Sequence, residues 1–303
     1  MADDLALPAP LADWFALRGW QPRRHQREML AEARAGRHAL LVAATGAGKT
    51  LAGFLPTLAE LIERPAEGLH TLYVSPLKAL AVDIERNLMT PIDEMGLDIR
   101  VETRTGDTSS ERKARQRVRP PQILLTTPES LSLLLSYPDS FLMFAGLRTI
   151  VVDEVHAFAS GKRGDLLALA MARLQRIAPG CRRVALSATV ADPDDYRAWL
   201  APGGDRDAVS LVEGDPGVDP DITILLPEDQ VPWAGHSGRY AARQVMAEIE
   251  THKTTIVFCN TRSLAELIFQ DLWKENLLQL PIGIHHGSLE KEARAKVEGA
   301  MAA

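Results

Sequence analysis

The stretch Ala39-Leu40-Leu41-Val42-Ala43-Ala44-Thr45-Gly46-Ala47-Gly48-Lys49-Thr50 decides the fold. Its first four residues are continuously apolar, the pattern of a strand covered on both faces. A glycine-bearing polar turn follows, and residues 50–63 then carry helical spacing. Strand, turn and helix in that order read as a phosphate-binding loop, with one departure: Ala43 stands where the strict pattern has glycine. Gly46 and Gly48 let backbone N–H groups turn inward around phosphate oxygens, with Thr45 and Ala47 as the other loop residues. The helix that begins near Lys49 aims its positive end at the anion. Lys49 suits the β- and γ-phosphates of ATP, and the Thr50 hydroxyl suits Mg²⁺.

Five further apolar runs, at residues 71–75, 99–103, 122–126, 149–153 and 183–187, alternate with helical stretches such as 78–93, 128–137 and 165–177. That alternation predicts an α/β fold with a doubly wound parallel sheet. Pro56, inside the first helix, predicts a kink there or a misplaced boundary. Each strand leads into a polar cluster: Ser75-Pro76-Leu77-Lys78, Thr105-Gly106-Asp107, Thr126-Thr127-Pro128-Glu129, Asp153-Glu154-Val155-His156 and Ser187-Ala188-Thr189. Ligands of open parallel sheets bind at the carboxyl ends of strands, so these clusters are expected to converge on one rim.

Within that rim, Asp153 is the expected metal ligand and Glu154 the expected base for an attacking water. An acidic pair after a strand also serves as a helix cap or a solvated turn. The phosphate loop upstream favours the catalytic reading. Gln26 precedes the loop by one short helix, and its amide offers both a donor and an acceptor to the edge of adenine.

The 303 residues allow about two domains. Composition is that of an ordinary globular chain, 46% hydrophobic and 24% charged. No run approaches the ~20 apolar residues of a membrane span, and Met1–Pro10 lacks an export pattern. Cys181 and Cys259, in different expected domains, fit reduced thiols in a cytoplasmic protein. Net charge is −6, yet residues 192–229 hold eleven of the 40 acidic residues and only two of the 34 basic ones. Any nucleic-acid contact must therefore be a local patch. The run Arg112-Lys113-Ala114-Arg115-Gln116-Arg117-Val118-Arg119 is a candidate patch, although such runs are more often solvated helix faces.

Residues 1–201 are expected to form the first domain and 202–238 an acidic linker with a short strand at 222–226. Residues 239–303 are expected to form part of a second parallel domain. There, helices are expected at 240–252, 263–276 and 289–301, with strands at 255–258 and 282–285. Thr261 and Arg262 open a helix that could hold a phosphate. The adjacent His285 and His286 lack partners at ligand spacing, which excludes zinc.

Taken together, the blocks resemble the superfamily 2 helicases of the DExH group. Asp153-Glu154-Val155-His156 looks like their motif II and Ser187-Ala188-Thr189 like motif III. Ser75-Pro76-Leu77-Lys78 and Thr126-Thr127-Pro128-Glu129 look like motifs Ia and Ib. Val257-Phe258-Cys259-Asn260-Thr261-Arg262 resembles motif IV. The longer wording 77–83, 104–108 and 156–164 is similar to the Lhr proteins, and within them to the ligase-associated DExH helicases of bacterial DNA repair. The resemblance covers residues 10–303.

It implies RecA-like P-loop NTPase domains and an ATP-dependent helicase or translocase that moves along single-stranded or partly duplex DNA, 3′ to 5′. Repair proteins are its implied partners. It also implies that Gln26 contacts adenine and that His156, with Ser187 and Thr189, couples hydrolysis to domain motion. Ser75, Lys78, Thr126, Thr127, Glu129, Thr261 and Arg262 would lie along the strand, suited to backbone contacts that read no bases. Motifs V and VI have no match here, so the chain is expected to be a fragment that binds ATP and hydrolyses it weakly. An RNA helicase and a non-hydrolysing nucleic-acid clamp are the competing readings.

Overall fold

The computed structural model describes residues 6–159, 161–188, 190–215, 221–227 and 238–302, without the side chains of 78–80, 82, 83, 86, 291 and 302. It divides into two compact units, residues 1–218 and 219–303.

The first unit is built on a seven-stranded sheet. The strands are β1 (His38–Val42), β2 (Thr71–Val74), β3 (Val101–Arg104), β4 (Ile123–Thr126), β5 (Thr149–Val152), β6 (Arg182–Ser187) and β7 (Val209–Glu213). Their order is β3-β4-β2-β5-β6-β1-β7, and every neighbouring pair is parallel. All carboxyl ends therefore share one rim. Six strands lie within two residues of the expected runs. The seventh corrects the expected boundary at 201: inside the stretch expected to be a linker, β7 pairs with β1 in register His38↔Val209 to Val42↔Glu213.

Side chains alternate across the sheet, which gives two cores. Ala39, Leu41, Tyr73, Ile123, Leu125, Val151, Val184, Leu186 and Val212 face one layer of helices: α1 (Ala9–Leu17), α2 (Arg24–Arg34), α3 (Lys49–Glu63) and α4 (Lys78–Glu94). Leu40, Leu72, Val74, Leu124, Ile150, Val152, Ala185 and Val209 face the other core. After α5 (Ser110–Val118), that core is covered by α6 (Pro128–Leu135), α7 (Ser140–Phe144), α8 (Lys162–Ile177) and α9 (Pro193–Leu200). Each fully buried Leu, Ile, Val or Phe contributes roughly 1.5–3 kcal/mol, so the two layers carry most of the stability. Phe54 stacks on Tyr73 with centroids 4.7 Å apart, fixing α3 against β2.

Helix starts follow local chemistry. Thr127 caps α6, accepting from Ser130 N–H, and Pro128 occupies the first helical position. Asp192 caps α9 in the same way, with Pro193 following. Helix α3 runs through Pro56 without interruption to Glu63, so the boundary expectation holds and the helix does not end there.

The amino-ended rim carries a buried polar network. Arg182 donates to Glu60 (2.8 Å), to Thr149 Oγ1 (2.7 Å) and to the Ala33 carbonyl. His70 Nε2 lies 3.3 Å from Glu60, and its Nδ1 pairs with Thr71 Oγ1 at 2.9 Å. Burial alone would raise the Glu60 pKa; His70 and Arg182 outweigh it and hold the carboxyl below its usual range.

The second unit contains α10 (Ala242–Thr251), α11 (Arg262–Glu275) and α12 (Lys291–Ala302), with Ala242, Met246 and Leu272 at its small core. The strands expected at 222–226, 255–258 and 282–285 are not formed. No partner strand lies beside any of them among the described residues, and an apolar run without a ladder has no reason to remain a strand. Phe258 accordingly exposes 91% of its surface. His285 and His286 pair separately with Glu298 and Glu266, each at 2.8 Å.

Candidate nucleotide site on the carboxyl rim

Strand β1 delivers Ala43 to Thr50 onto the rim. Gly46 and Gly48 adopt φ of 78° and 79°, the left-handed region glycine enters without penalty. A side chain at Gly46 would project into open space. Lys49 is buried, and its ammonium donates to the carbonyls of Ala43 (3.1 Å) and Ala44 (3.2 Å). Among the described residues no carboxylate lies within ion-pair distance of it. A buried cation bound only by carbonyls is poorly compensated and fits an arriving anion. Thr50 sits beside it on the first turn of α3, half-buried.

Two strands across, β5 delivers Asp153 and Glu154. The Asp153 N–H donates to Val74 O, and the Glu154 N–H donates to Asp153 Oδ1 at 2.9 Å. Burial pushes the Asp153 carboxyl above its usual range. The Glu154 charge adds to the rise, and the Lys49 charge opposes it. The buried Tyr73 hydroxyl faces Asp153 and opposes the rise by favouring the ionised carboxyl. A buried carboxylate whose pKa is raised and a buried ammonium held by carbonyls, on one rim, suit a magnesium nucleotide. Gly46, Gly48 and Lys49 would hold its phosphates, and Thr50 and Asp153 its cation. When bound, the cation would neutralise charge on the phosphates.

Glu154 stands in the left-handed region at φ 48°, an unusual place for a side chain of its size. The turn that follows brings His156 Nδ1 to 3.0 Å from Ser187 Oγ and 3.4 Å from a Glu154 oxygen. The end of β6 is thereby tied to the acidic pair. Ala43 N–H also donates to Ser187 O at 3.1 Å, so Ser187 touches both halves of the site. Thr189 lies outside the described residues.

Gln26 lies beside the loop, but its amide is engaged. Oε1 accepts from Arg23 N–H at 2.9 Å, capping α2, and Nε2 reaches Gly48 O at 3.4 Å. His25, next to it, is buried, and burial lowers its pKa against the opposing effect of the Ala47 backbone.

The residues expected along a strand occupy different positions. Ser75 and Thr126 are fully buried, with hydroxyls donating to Leu77 O (3.3 Å) and Arg104 O (2.8 Å). Thr127 is a helix cap. These three side chains pack the rim, while Leu77 and Glu129 in the same segments are exposed. The side chain of Lys78 lies outside the described residues. Glu129 is bound at 2.6 Å by Arg163, which holds its carboxyl below the usual range.

Arg163 went unnoticed in the sequence. It also donates to Pro76 O at 2.8 Å and lies over the Phe158 ring at 5.7 Å, joining the segments after β2, β4 and β5. Only its position in the wording 156–164 hinted at a role. Three arginines of the basic run are paired internally: Arg112 and Arg115 bind Glu102 (3.2 and 2.7 Å), and Arg117 binds Asp139 (2.7 Å) and stacks on Tyr137. In the second unit, Thr261 caps α11 and Arg262 donates to Ser288 Oγ at 2.7 Å.

Residues 23–196 match the family model described as DEAD/DEAH box helicase. The ATP-dependent helicase Lhr-Core of Methanocaldococcus jannaschii is 36% identical, over 96% of this chain and 36% of its own length. The Lhr helicase/uracil glycosylase of Escherichia coli is 34% identical over 95% of this chain and 23% of its own. This chain thus spans about a third or less of these relatives. Among solved structures, the Mycobacterium smegmatis helicase Lhr bound to ssDNA and AMP-PNP superposes with a TM-score of 0.79 at 34% identity, covering 97% of this chain and 40% of that one. No helix among the described residues is long and apolar enough to cross a membrane.

Proposed function

Because the chain belongs to the DEAD/DEAH box helicase family, we propose that it is the ATP-hydrolysing motor portion of an Lhr-like helicase that moves along single-stranded DNA. The observation that carries this reading is the convergence of Lys49, Asp153, Glu154, His156 and Ser187 on one rim of one parallel sheet. Lys49 leaves its loop carbonyls for the β- and γ-phosphates, and Thr50 and Asp153 hold Mg²⁺. Glu154 orients and deprotonates the attacking water. His156 reports the state of Glu154 to Ser187, whose backbone already contacts Ala43. Gln26 would exchange its bonds to Arg23 N–H and Gly48 O for the edge of adenine, while Thr45, Gly46, Ala47 and Gly48 wrap the phosphates. Residues 239–302 are part of a second RecA-like domain, with Thr261 and Arg262 at a helix start suited to a backbone phosphate.

DNA as the track is supported by the relative solved with ssDNA. The ligase-associated resemblance supports a role in repair, and the free thiols of Cys181 and Cys259 support a cytoplasmic setting. Short hydroxyls and backbone N–H groups at the strand ends after β2 and β4 suit phosphates without reading bases, as a motor that passes over any sequence requires. The test is nucleotide binding and hydrolysis with and without single strands, with DNA and RNA in competition. Hydrolysis that rises with DNA and is poorly competed by RNA supports the proposal. An RNA preference would replace the track, and strand binding indifferent to ATP would overturn the motor.

A further inference from the structure

Ala43 is the one departure from the strict loop pattern, and it is the junction of the site: its N–H donates to Ser187, its carbonyl accepts from Lys49, and its Cα carries a methyl where glycine has none. That methyl needs space, and the space lies over Gly214, just past the end of β7. A Cβ built on Gly214 would overlap the Ala43 Cβ and stand 3.1 Å from the Ala43 Cα and 3.6 Å from Val42 O. None of these atoms is the end of a flexible side chain, so one backbone would have to shift. The Gly214 backbone is held in place: its N–H donates to Val42 O at 2.8 Å, Arg24 donates to Glu213 O at 2.9 Å, and Arg24 also pairs with Asp215 at 3.4 Å.

We propose that Gly214 is a positioning residue of the nucleotide site, whose missing side chain lets Ala43 stand where it anchors Lys49. The chain that leaves the first unit is thereby seated on the nucleotide loop, with Arg24 at the start of α2 as its second fixing point. The proposal rests on the reading of the loop as a nucleotide site.

The test uses the full 303-residue chain, a fluorescent ADP analogue with Mg²⁺, and thermal melting as a check of folding. Gly214→Ala is expected to weaken nucleotide binding about 10- to 100-fold, the cost of a displacement near 1 Å. Ala43→Gly removes the competing methyl and serves as the background for the double variant. The double variant Ala43→Gly/Gly214→Ala is expected to bind roughly 5-fold or more tightly than Gly214→Ala, since the two methyl groups no longer compete. Wild-type binding with an unaffected Gly214→Ala variant would overturn the proposal alone. So would a double variant no better than the single one, whether it fails to bind or fails to fold. A wild-type chain that does not bind the nucleotide would overturn the reading of the loop and this proposal with it.

Discussion

The two rims of the sheet treat charge in opposite ways. On the amino rim, Arg182, Glu60, His70 and Thr149 satisfy one another, and the Glu60 carboxyl is held in its ionised form. On the carboxyl rim, among the described residues, Lys49 donates only to carbonyls, and Asp153 is pushed toward its neutral form. Arg182, His70 and Thr149 on one rim and Lys49 and Asp153 on the other are all buried, so burial does not separate the two rims. Satisfied buried charge marks architecture here; unsatisfied buried charge marks where something else is meant to bind.

The contrast can be broken from either side. Arg182→Ala should cost the most stability, about 3–5 kcal/mol, because it leaves Glu60 without its main partner. The loss would appear as a lower urea midpoint, with nucleotide affinity unchanged below the transition. Lys49→Ala should do the reverse: nucleotide binding and hydrolysis fall about 10²–10³-fold, the scale seen when one charge-stabilising donor is removed. Its melting temperature should hold or rise. Asp153→Asn should abolish hydrolysis and raise the melting temperature, by about 2–4 °C for each 1 kcal/mol relieved. The sign follows from Asp153's raised pKa: its contribution to stability is present below the ordinary aspartate range and lost as pH rises through the folded value. Glu60 works the other way. Its contribution is present above the ordinary glutamate range and lost as pH falls, so the stability gap between wild type and Glu60→Gln should narrow in acid.

The same contrast explains what the sequence could convey. Six strands were legible because short apolar runs, several of them continuous like Ala39-Leu40-Leu41-Val42, alternate with helical stretches and end in turn signals, the pattern of strands covered on both sides. Strand β7 was not, since Val209-Ser210-Leu211-Val212-Glu213 lies at the sheet edge, alternates, and is set among acidic residues and glycines. The rim residues Lys49, Asp153 and Glu154 were legible because their spacing to strand ends is fixed along the chain. Glu129 was misplaced for the opposite reason. Its partner, Arg163, is 34 residues away, and only the fold shows that its charge is already taken. Ser75 and Thr126 share that history: a hydroxyl at a strand end reads as available until the neighbouring strand claims it. The apolar runs at 255–258 and 282–285 show the converse, since strand composition without a neighbour does not make a strand.

Glu154 sits on a backbone that a residue of its kind adopts reluctantly, at a cost of order 1–3 kcal/mol. Glycine would relax that joint, and asparagine would tolerate it better, so the amino acid best suited to the bend is not the one found there. The molecule keeps a strained joint directly after Asp153, the carboxylate proposed to hold the cation. Laboratory selection for heat resistance alone would drift toward Glu154→Gly, giving a sturdier protein without the proposed base.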